Sequence, residues 1–453
     1  MGADVISAAP PKGELFSISP ETLFALPDQD YLLLIKDEFL EELERLKRAY
    51  SIPTDDTDPP STSSPSQILY GTDYDEVNRT LVGVLALKWI HNGNYESFVA
   101  GQDASQRLAR ESFDWIRERY SESGENQSRL YALLTSMVVN DLGKDSELAK
   151  NYQQQTGQDI SAMNHDMILL KAVHAGLVPC LDRLVKTDKD DIILGMELGA
   201  ELNFGQLAQA ENAPACLSKL QTMRGHEAAF QLRFMEQLLD IAGAAGHMDW
   251  TGAKKLIQPI FEAYRNVHDA AMGIISGGLS LRAGYDLILS RRLELLQKRG
   301  LHALNIHEAT DRAFTRLLCM GGVADEESAR LYDQIWHSLD SDVRSSLVET
   351  LNVDGSTTRP AVQPTYMPAL LTHVAGSKYR AQPEERKKAL GSVLHYLSRV
   401  MTDSRRPEAS ACVIERGVRP VLQEVARAPN ANEAIKVLSS AKIPEGVPAL
   451  AEL

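Results

Sequence analysis

Helical spacing of apolar residues runs through almost the whole chain and constrains its fold more than any other feature. Stretches rich in Leu, Ala, Glu and Arg repeat apolar residues at positions i, i+3, i+4 and i+7, whereas alternation with a period of two is hard to find. These residue types also have high helix propensity. The sequence therefore predicts an all-α fold, a multi-helix bundle with an additional C-terminal helical region.

Breaker-rich stretches divide the chain into four predicted segments. Residues 1–50 are expected to form an N-terminal helical segment. Residues 51–73 are expected to be a linker or mobile loop, because their first part is rich in Pro, Ser, Thr and Asp. Residues 74–301 form the predicted central domain, and residues 302–453 form the C-terminal helical region. A chain of 453 residues has room for two or three domains.

Charge and cysteine spacing narrow the class of function. The formal net charge of −15 argues against a nucleic-acid or anionic-membrane surface, because phosphate binding needs clustered Lys and Arg. Cys180, Cys216, Cys319 and Cys412 lack CxxC spacing, which favours free buried thiols in a reducing compartment. Nowhere do eighteen apolar residues follow one another. We expect a cytoplasmic protein that binds a small molecule, and an oligomer is compatible with these features.

An aspartate stands on the apolar face of one predicted helix. Asp141 continues the helical spacing of a face formed by Leu130, Leu133, Leu134, Met137 and Val138. An isolated charge is costly to bury, so proteins usually supply a cation, a metal ion or a shifted pKa. The sequence therefore predicts that Asp141 lies in the core and has a partner.

Two further helices place ionisable groups on or near an apolar face. In "NHDMILLKAVHAG", His165 and Asp166 fall within or beside the apolar arc. In "GHEAAFQLRFMEQLLDIAGAAGHMDW", Glu227 falls within it, whereas His226 shares the opposite side with Arg233 and Asp240. His226 remains a candidate if that side also faces protein. The helix then ends, leaving His247 on a loop that can return towards the site.

This coincidence predicts a metal site inside a helical bundle. Nitrogen and oxygen ligands without thiolate suit Zn²⁺, Fe²⁺ or Mn²⁺, and zinc is the commonest for a site without redox chemistry. The candidate metal ligands are Asp141, His165, Asp166, His226 and Glu227. Each of them taken alone is also compatible with a helix cap or a hydrogen-bonded core residue.

The segment "LLTSMVVNDLGKD" resembles the second helix of HD-type metal hydrolases, an apolar helix that ends in His-Asp-x-Gly-Lys. Asp141, Gly143 and Lys144 match this pattern, while Asn140 replaces the histidine, which is a metal ligand in that family. The resemblance implies an HD-like metal-binding core. It offers a metal-dependent phosphohydrolase as one alternative function.

The segments "VVNDLGKD", "NHDM", "GHEAAFQLRFMEQLLD" and "GAAGHMDW" in an acidic helical chain together resemble the fungal cyclopenase family. That resemblance implies a hemocyanin-like, zinc-dependent lyase. Such enzymes contract the epoxidised benzodiazepinedione ring of cyclopenin-type alkaloids to a viridicatin-type quinolone, with loss of methyl isocyanate. The expected substrate is thus an apolar heterocycle.

The cyclopenase resemblance also suggests roles for individual side chains. Zinc on an amide oxygen would act as the Lewis acid, and Lys144 or His247 would transfer protons. The aromatic side chains expected to line the substrate site are Phe230, Phe234 and Trp250. A further alternative is a non-catalytic helical scaffold, in which the buried polar residues cap helices and pair with arginines such as Arg224 and Arg233.

Overall fold

The computed structural model describes residues 13–51, 59–124, 126–376, 383–407 and 409–450. Contacts divide the chain into two compact units. Unit 1 comprises Met1–Ala200 and Gly225–Glu262, and unit 2 comprises Glu201–Arg224 and Ala263–Leu453. The division falls after residues 200, 224 and 262, whereas the sequence predicts boundaries at 50, 73 and 301.

The prediction of a mostly helical protein is confirmed. In chain order the α-helices are α1 (Pro20–Ala25), α2 (Asp28–Glu38), α3 (Leu40–Leu46), α4 (Pro65–Tyr70), α5 (Asp75–His91), α6 (Tyr95–Phe98), α7 (Arg110–Gly124), α8 (Gln127–Val139), α9 (Ser146–Thr156), α10 (His165–His174), α11 (Lys186–Glu201), α12 (Phe204–Ala208), α13 (Glu227–Gly243), α14 (Gln258–Ile275), α15 (Leu281–Lys298), α16 (Ala309–Met320), α17 (Glu326–Ser338), α18 (Ser341–Leu351), α19 (Met367–Ala375), α20 (Pro383–Thr402), α21 (Arg419–Arg427) and α22 (Ala431–Ser440). Short 3-10 helices are Glu14–Ser17, Leu142–Lys144, Pro179–Arg183 and Pro214–Met223.

Part of the predicted linker is helical. Residues 52–58 lie outside the described residues, but residues 65–70 form α4. The Ser64 hydroxyl accepts a hydrogen bond from the Gln67 backbone N–H (3.1 Å), and Pro65 occupies the first helical position. Serine before proline is a strong start signal for a helix. The same Ser-Pro pair therefore begins a helix within a stretch whose composition indicates a loop.

Unit 1 is built around four helices that all contact one another, namely α5, α7, α8 and α13. Helices α5 and α13 approach at backbone distance, because a Cβ atom on Gly83 would lie 2.8 Å from the carbonyl oxygen of Leu239. Such a close approach requires a residue without a side chain. As a result, polar residues on the facing surfaces of α5 and α13 are held near one another.

Unit 2 packs its helices around α20, which contacts α17, α18, α19 and α22. It also carries a sheet that the sequence does not predict. Strand β1 (Ala361–Gln363) is parallel to β2 (Val413–Glu415), and β2 is antiparallel to β3 (Val447–Leu450). Strands of three or four residues are too short to show a period of two.

The described part of the chain contains no helix with both the length and the apolar content required to span a membrane.

Candidate functional site

Asp141 finds its partner three residues further along the chain. Helix α8 ends at Val139, and Asp141 begins the tight turn that contains the 3-10 helix Leu142–Lys144. Asp141 is 7% exposed, and one of its oxygens lies 2.9 Å from the Lys144 Nζ atom. Burial favours the neutral acid, yet the Lys144 cation holds the pKa of Asp141 below its ordinary value. The buried aspartate is therefore ionised and paired.

Helix α5 supplies a second carboxylate that shares Lys144. The Lys144 ammonium donates to Glu76 Oε2 (2.8 Å), and Arg79 lies 2.9 Å from Glu76 Oε1. Burial of Glu76 and the nearby Asp141 raise the pKa of Glu76. Burial lowers the pKa of Lys144, but Asp141 and Glu76 outweigh that effect and raise it above its ordinary value. Lys144 is thus a permanent cation between two carboxylates.

Helix α13 brings a third group of charges to the same place. Arg233 donates to the Asn140 side-chain oxygen (3.1 Å) and forms an ion pair with Glu236, one turn further along α13. Glu236 is completely buried, and its second oxygen, Oε1, has no hydrogen-bond partner among the described residues. Burial raises the pKa of Glu236 to about 8 in spite of Arg233. Burial and Asp141 raise the pKa of Asp240 to about 6.

These charged groups surround a small cavity in unit 1. Its walls are Arg79, Thr80, Gly83, Met137, Asp141, Glu236, Leu239 and Asp240. The volume open to the centre of a water molecule is about 10 Å³, which is room for about one water. A drug-sized ligand needs a cavity of roughly 300 Å³ or more. Only a water molecule or a single polar atom of a larger ligand fits between these side chains.

The cluster contains one more carboxyl group than it has cations, so one carboxyl group is expected to keep its proton. Its four carboxyl groups are Glu76, Asp141, Glu236 and Asp240, and its three cations are Arg79, Lys144 and Arg233. Full ionisation would leave a buried negative charge, which a low-dielectric site disfavours. The pKa of Glu236, about 8, indicates that the extra proton resides mainly on Glu236 near neutral pH, whereas Asp240, with a pKa of about 6, is mostly ionised there.

His165 and Asp166 lie at the rim of this cluster. The His165 Nε2 atom is 3.9 Å from Asp141 and 3.7 Å from Asp166, and both side chains are about one-third exposed. Gly143 permits this approach, because a Cβ atom there would overlap the backbone carbonyl of His165. The structure thus brings together Asp141, Lys144, His165 and Asp166 from the sequence prediction.

The two remaining candidate metal ligands lie elsewhere. His226 and Glu227 are both exposed at the beginning of α13, where Glu227 accepts a hydrogen bond from the Gly225 backbone N–H (3.2 Å). Periodicity assigns Glu227 to the buried side, but burial in α13 begins only at Ala229, so the first two residues of the helix are exposed. Among the described residues, no three His, Cys, Asp or Glu side chains are arranged to hold a metal ion. Zinc binding stays a prediction.

His247 and the aromatic residues take different positions. His247 is half-buried, and burial together with the nearby Arg79 cation lowers its pKa. Phe230 and Phe234 are core residues, stacked with ring centroids 6.1 Å apart. The Trp250 indole donates to the Thr62 hydroxyl (3.0 Å) and lines a separate groove of about 560 Å³ in unit 1. The described structure therefore does not collect the three aromatic residues around Asp141.

The sequence analysis missed four of the seven charged residues in the cluster, namely Glu76, Arg79, Glu236 and Asp240. Two spacings carry a signal for them. Glu76 and Arg79 stand three residues apart at the beginning of an otherwise apolar helix. Arg233, Glu236 and Asp240 share one side of α13 with spacings of three and four residues. Both patterns are equally typical of solvated helix faces, so only packing distinguishes the two cases.

Comparison with known proteins identifies a family to which the chain is similar. The model of a protein family described as "Family of unknown function (DUF6829)" matches residues 32–438. No curated protein and no solved structure matches the chain.

Proposed function

Since this chain belongs to the DUF6829 family, a family of unknown function, we propose a function from the geometry of unit 1: an acid–base enzyme of the lyase or isomerase class. One observation carries the proposal. Glu236 holds a proton near neutral pH beside Asp240 and the ionised pair of Asp141 and Lys144. Strongly perturbed pKa values of this kind are concentrated at functional sites.

The acid in this proposal is the carboxyl pair on α13. A general acid works best when its pKa lies near the working pH. The pKa of Glu236 is about 8 and that of Asp240 about 6, so they lie on either side of neutrality. Both side chains line the cavity, and Glu236 Oε1 has no competing partner among the described residues. A substrate atom entering the cavity would accept the proton there.

The base and the fixed charges come from the neighbouring helices. Asp141 is ionised and lines the same cavity, so it can accept a proton. His247, with its lowered pKa, is a second acceptor near Arg79. The sequence analysis assigned proton transfer to Lys144, but a lysine with a raised pKa stays protonated. Its role in this proposal is to keep Asp141 ionised, since it lies 2.9 Å from that carboxylate.

The proposed reaction is the ring contraction expected from the cyclopenase resemblance. That reaction needs one group to remove the anilide proton and another to protonate the opening epoxide. An ionised and a protonated carboxyl side by side provide both. The small cavity admits only the polar edge of the heterocycle, so its aryl groups would remain outside. Zinc from the same resemblance would polarise the amide oxygen, and no step here depends on it.

The phosphohydrolase alternative has less support in the cluster. Asn140, at the position of the HD histidine, accepts a hydrogen bond from Arg233. Arg233 and Arg79 are themselves paired with Glu236 and Glu76. Both guanidinium groups are therefore already engaged by side chains of the cluster, whereas a phosphate site needs cations that remain available to the ligand.

The test is incubation of the purified protein with cyclopenin, with viridicatin and methylamine measured by mass spectrometry. We expect Glu236→Gln, Asp240→Asn and Asp141→Asn to lower the rate by roughly 10²–10⁴-fold, the usual contribution of general acid–base catalysis. Glu197→Gln is the matched control, because that carboxylate pairs with His174 at the surface. Variants that turn over at the wild-type rate would disprove the assignment.

A non-catalytic scaffold is the second candidate, and the pairing of Asp141, Glu76 and Arg233 within the cluster favours it. Infrared difference spectroscopy tests the proton itself without a substrate. We expect the carbonyl band of a protonated carboxyl at pH 7 that Glu236→Gln removes and that Asp240→Asn does not, because Asp240, with a pKa of about 6, is mainly ionised at that pH. Such a band without turnover of any tested substrate would favour the scaffold, and absence of the band would remove the basis of the acid–base proposal.

A further inference from the structure

Unit 2 contains a cavity of about 450 Å³, and no residue of its wall belongs to the charged cluster of unit 1. Its walls come from the 3-10 helix Pro214–Met223, the beginning of α15, the loop after α18, the first residue before β2 and the last residue of β3. This volume lies within the range of roughly 300–1,000 Å³ that is typical of small-molecule sites. The cavity is thus large enough for a whole ligand.

The wall is mainly apolar, and its charges cancel. Arg282 is paired with Asp354 (2.7 Å) and with Asp286 (2.9 Å), and Asp286 also contacts Arg312 (2.7 Å). Two arginines therefore face two aspartates. An anionic or cationic ligand would have to break one of these pairs, so the cavity favours a neutral molecule.

One polar group of the wall lacks a partner. Ser218 is 7% exposed, and its hydroxyl has no hydrogen-bond partner among the described residues. Other hydroxyls of unit 2, such as those of Thr315 and Thr372, donate to a carbonyl one helical turn earlier. A buried hydroxyl without a partner destabilises the folded state. The Ser218 oxygen has almost no surface open to solvent, so a ligand carbonyl or hydroxyl group would meet it after the serine side chain rotates towards the cavity.

The wall is joined by backbone contacts, so the cavity exists without a ligand. The Ala215 N–H donates to the Asp354 carbonyl (2.9 Å), and the Cys412 N–H donates to the Leu450 carbonyl (2.8 Å). Gly355 has a positive φ of 106°, and a Cβ atom there would lie 2.8 Å from both Ala215 Cβ and the Cys412 carbonyl oxygen. Only glycine allows the loop to lie this close.

We propose that unit 2 binds a neutral, largely apolar small molecule whose single hydrogen-bonding group meets the Ser218 hydroxyl. The cavity volume, the cancelled charges and the unpaired hydroxyl all describe the same ligand class. Preformed apolar cavities with few polar groups are typical small-molecule sites. This site is independent of the acid–base function proposed for unit 1.

The test uses Nile red, a neutral aromatic dye with a carbonyl group, titrated into the full-length protein and followed by fluorescence. We expect saturable binding to the wild type. Ala215→Trp, which fills the cavity, should weaken binding at least tenfold, and Ser218→Ala should weaken it several-fold. Ala283→Trp is the matched control, because Ala283 is exposed on α15 outside the cavity wall and should leave binding unchanged.

Cys412 gives a second measurement that needs no variant. It is half-buried in the cavity wall, whereas the other three cysteines are buried. We expect N-ethylmaleimide to modify Cys412 first, and saturating Nile red to slow that modification, as measured by peptide mass spectrometry. Equal dye binding by wild type and Ala215→Trp, no saturable binding, or unchanged Cys412 labelling would each overturn the proposal.

Discussion

The charged cluster of unit 1 and Arg316 of unit 2 satisfy their cations in different ways. In unit 1 the buried arginines and lysine meet carboxylates, as Arg233 meets Glu236 and Lys144 meets Asp141 and Glu76. In unit 2 the fully buried Arg316 bonds to the backbone carbonyls of Ala210, Leu351, Glu211 and Asn212. Carboxylates titrate and carbonyls do not. The same requirement to satisfy a buried charge therefore makes the cluster of unit 1 sensitive to pH and makes Arg316 a fixed anchor within unit 2, where the neighbouring Arg312 pairs with Asp286.

The largest expected effect comes from removing that anchor. Arg316→Met should lower the free energy of unfolding by about 3 kcal/mol or more, because buried carbonyls lose their donors. The loss should be the same at pH 5 and pH 8. Urea unfolding, with hydrogen exchange to assign the change to unit 2, measures it. Arg330→Met is the control, since Arg330 is 71% exposed. If the loss of unfolding free energy in Arg316→Met changed strongly with pH, Arg316 would not be an anchor that is independent of titrating groups.

A smaller effect is expected at Glu236, where the folded-state pKa of about 8 exceeds the ordinary value of 4.5. The folded state then binds more protons between these values, so wild-type stability falls as pH rises from 4.5 to 8. Glu236→Gln cannot titrate. Relative to the wild type it should gain about 1–3 kcal/mol between pH 5 and pH 8. Urea unfolding at both pH values measures the gain, and a pH-independent difference would contradict the assignment.

The smallest effect is expected at Glu211, a buried carboxyl group of unit 2 whose pKa is raised. It accepts a hydrogen bond from the Tyr366 N–H (2.6 Å), and burial raises its pKa to about 7. Stability should therefore fall as pH rises from 4.5 to 7. Glu211→Gln keeps an acceptor and should gain about 1 kcal/mol between pH 5 and pH 8. Glu349→Gln, an exposed carboxylate, should show no gain.

Sequence reasoning predicted the helices because their periodicity is set by local residues. It also placed Asp141 in the core. It did not identify Lys144 as the partner, because the chain turns tightly after Val139 and brings residues 141 and 144 together outside the regular helix. Neighbours in a 3-10 turn can pair as closely as residues on separate helices.

The other side of α13 shows why most of the cluster was missed. Hydrophobic periodicity identifies the apolar side of a helix and leaves the polar side to solvent. Helix α13 contacts α5, α7 and α8, so its polar side is also covered. Glu236 is buried and Asp240 is half-buried there by neighbours that lie far away in sequence. Such burial depends on tertiary contacts, and a single sequence does not contain that information.

The glycine contact between α5 and α13 has a mechanical consequence for unit 1. At Gly83 the two backbones touch without intervening side chains, and such a junction has little freedom to slide or rotate. Arg79 stands one turn before Gly83 on α5, and Asp240 directly follows Leu239 on α13. We therefore expect the junction to hold the charged groups of the two helices at nearly fixed separations.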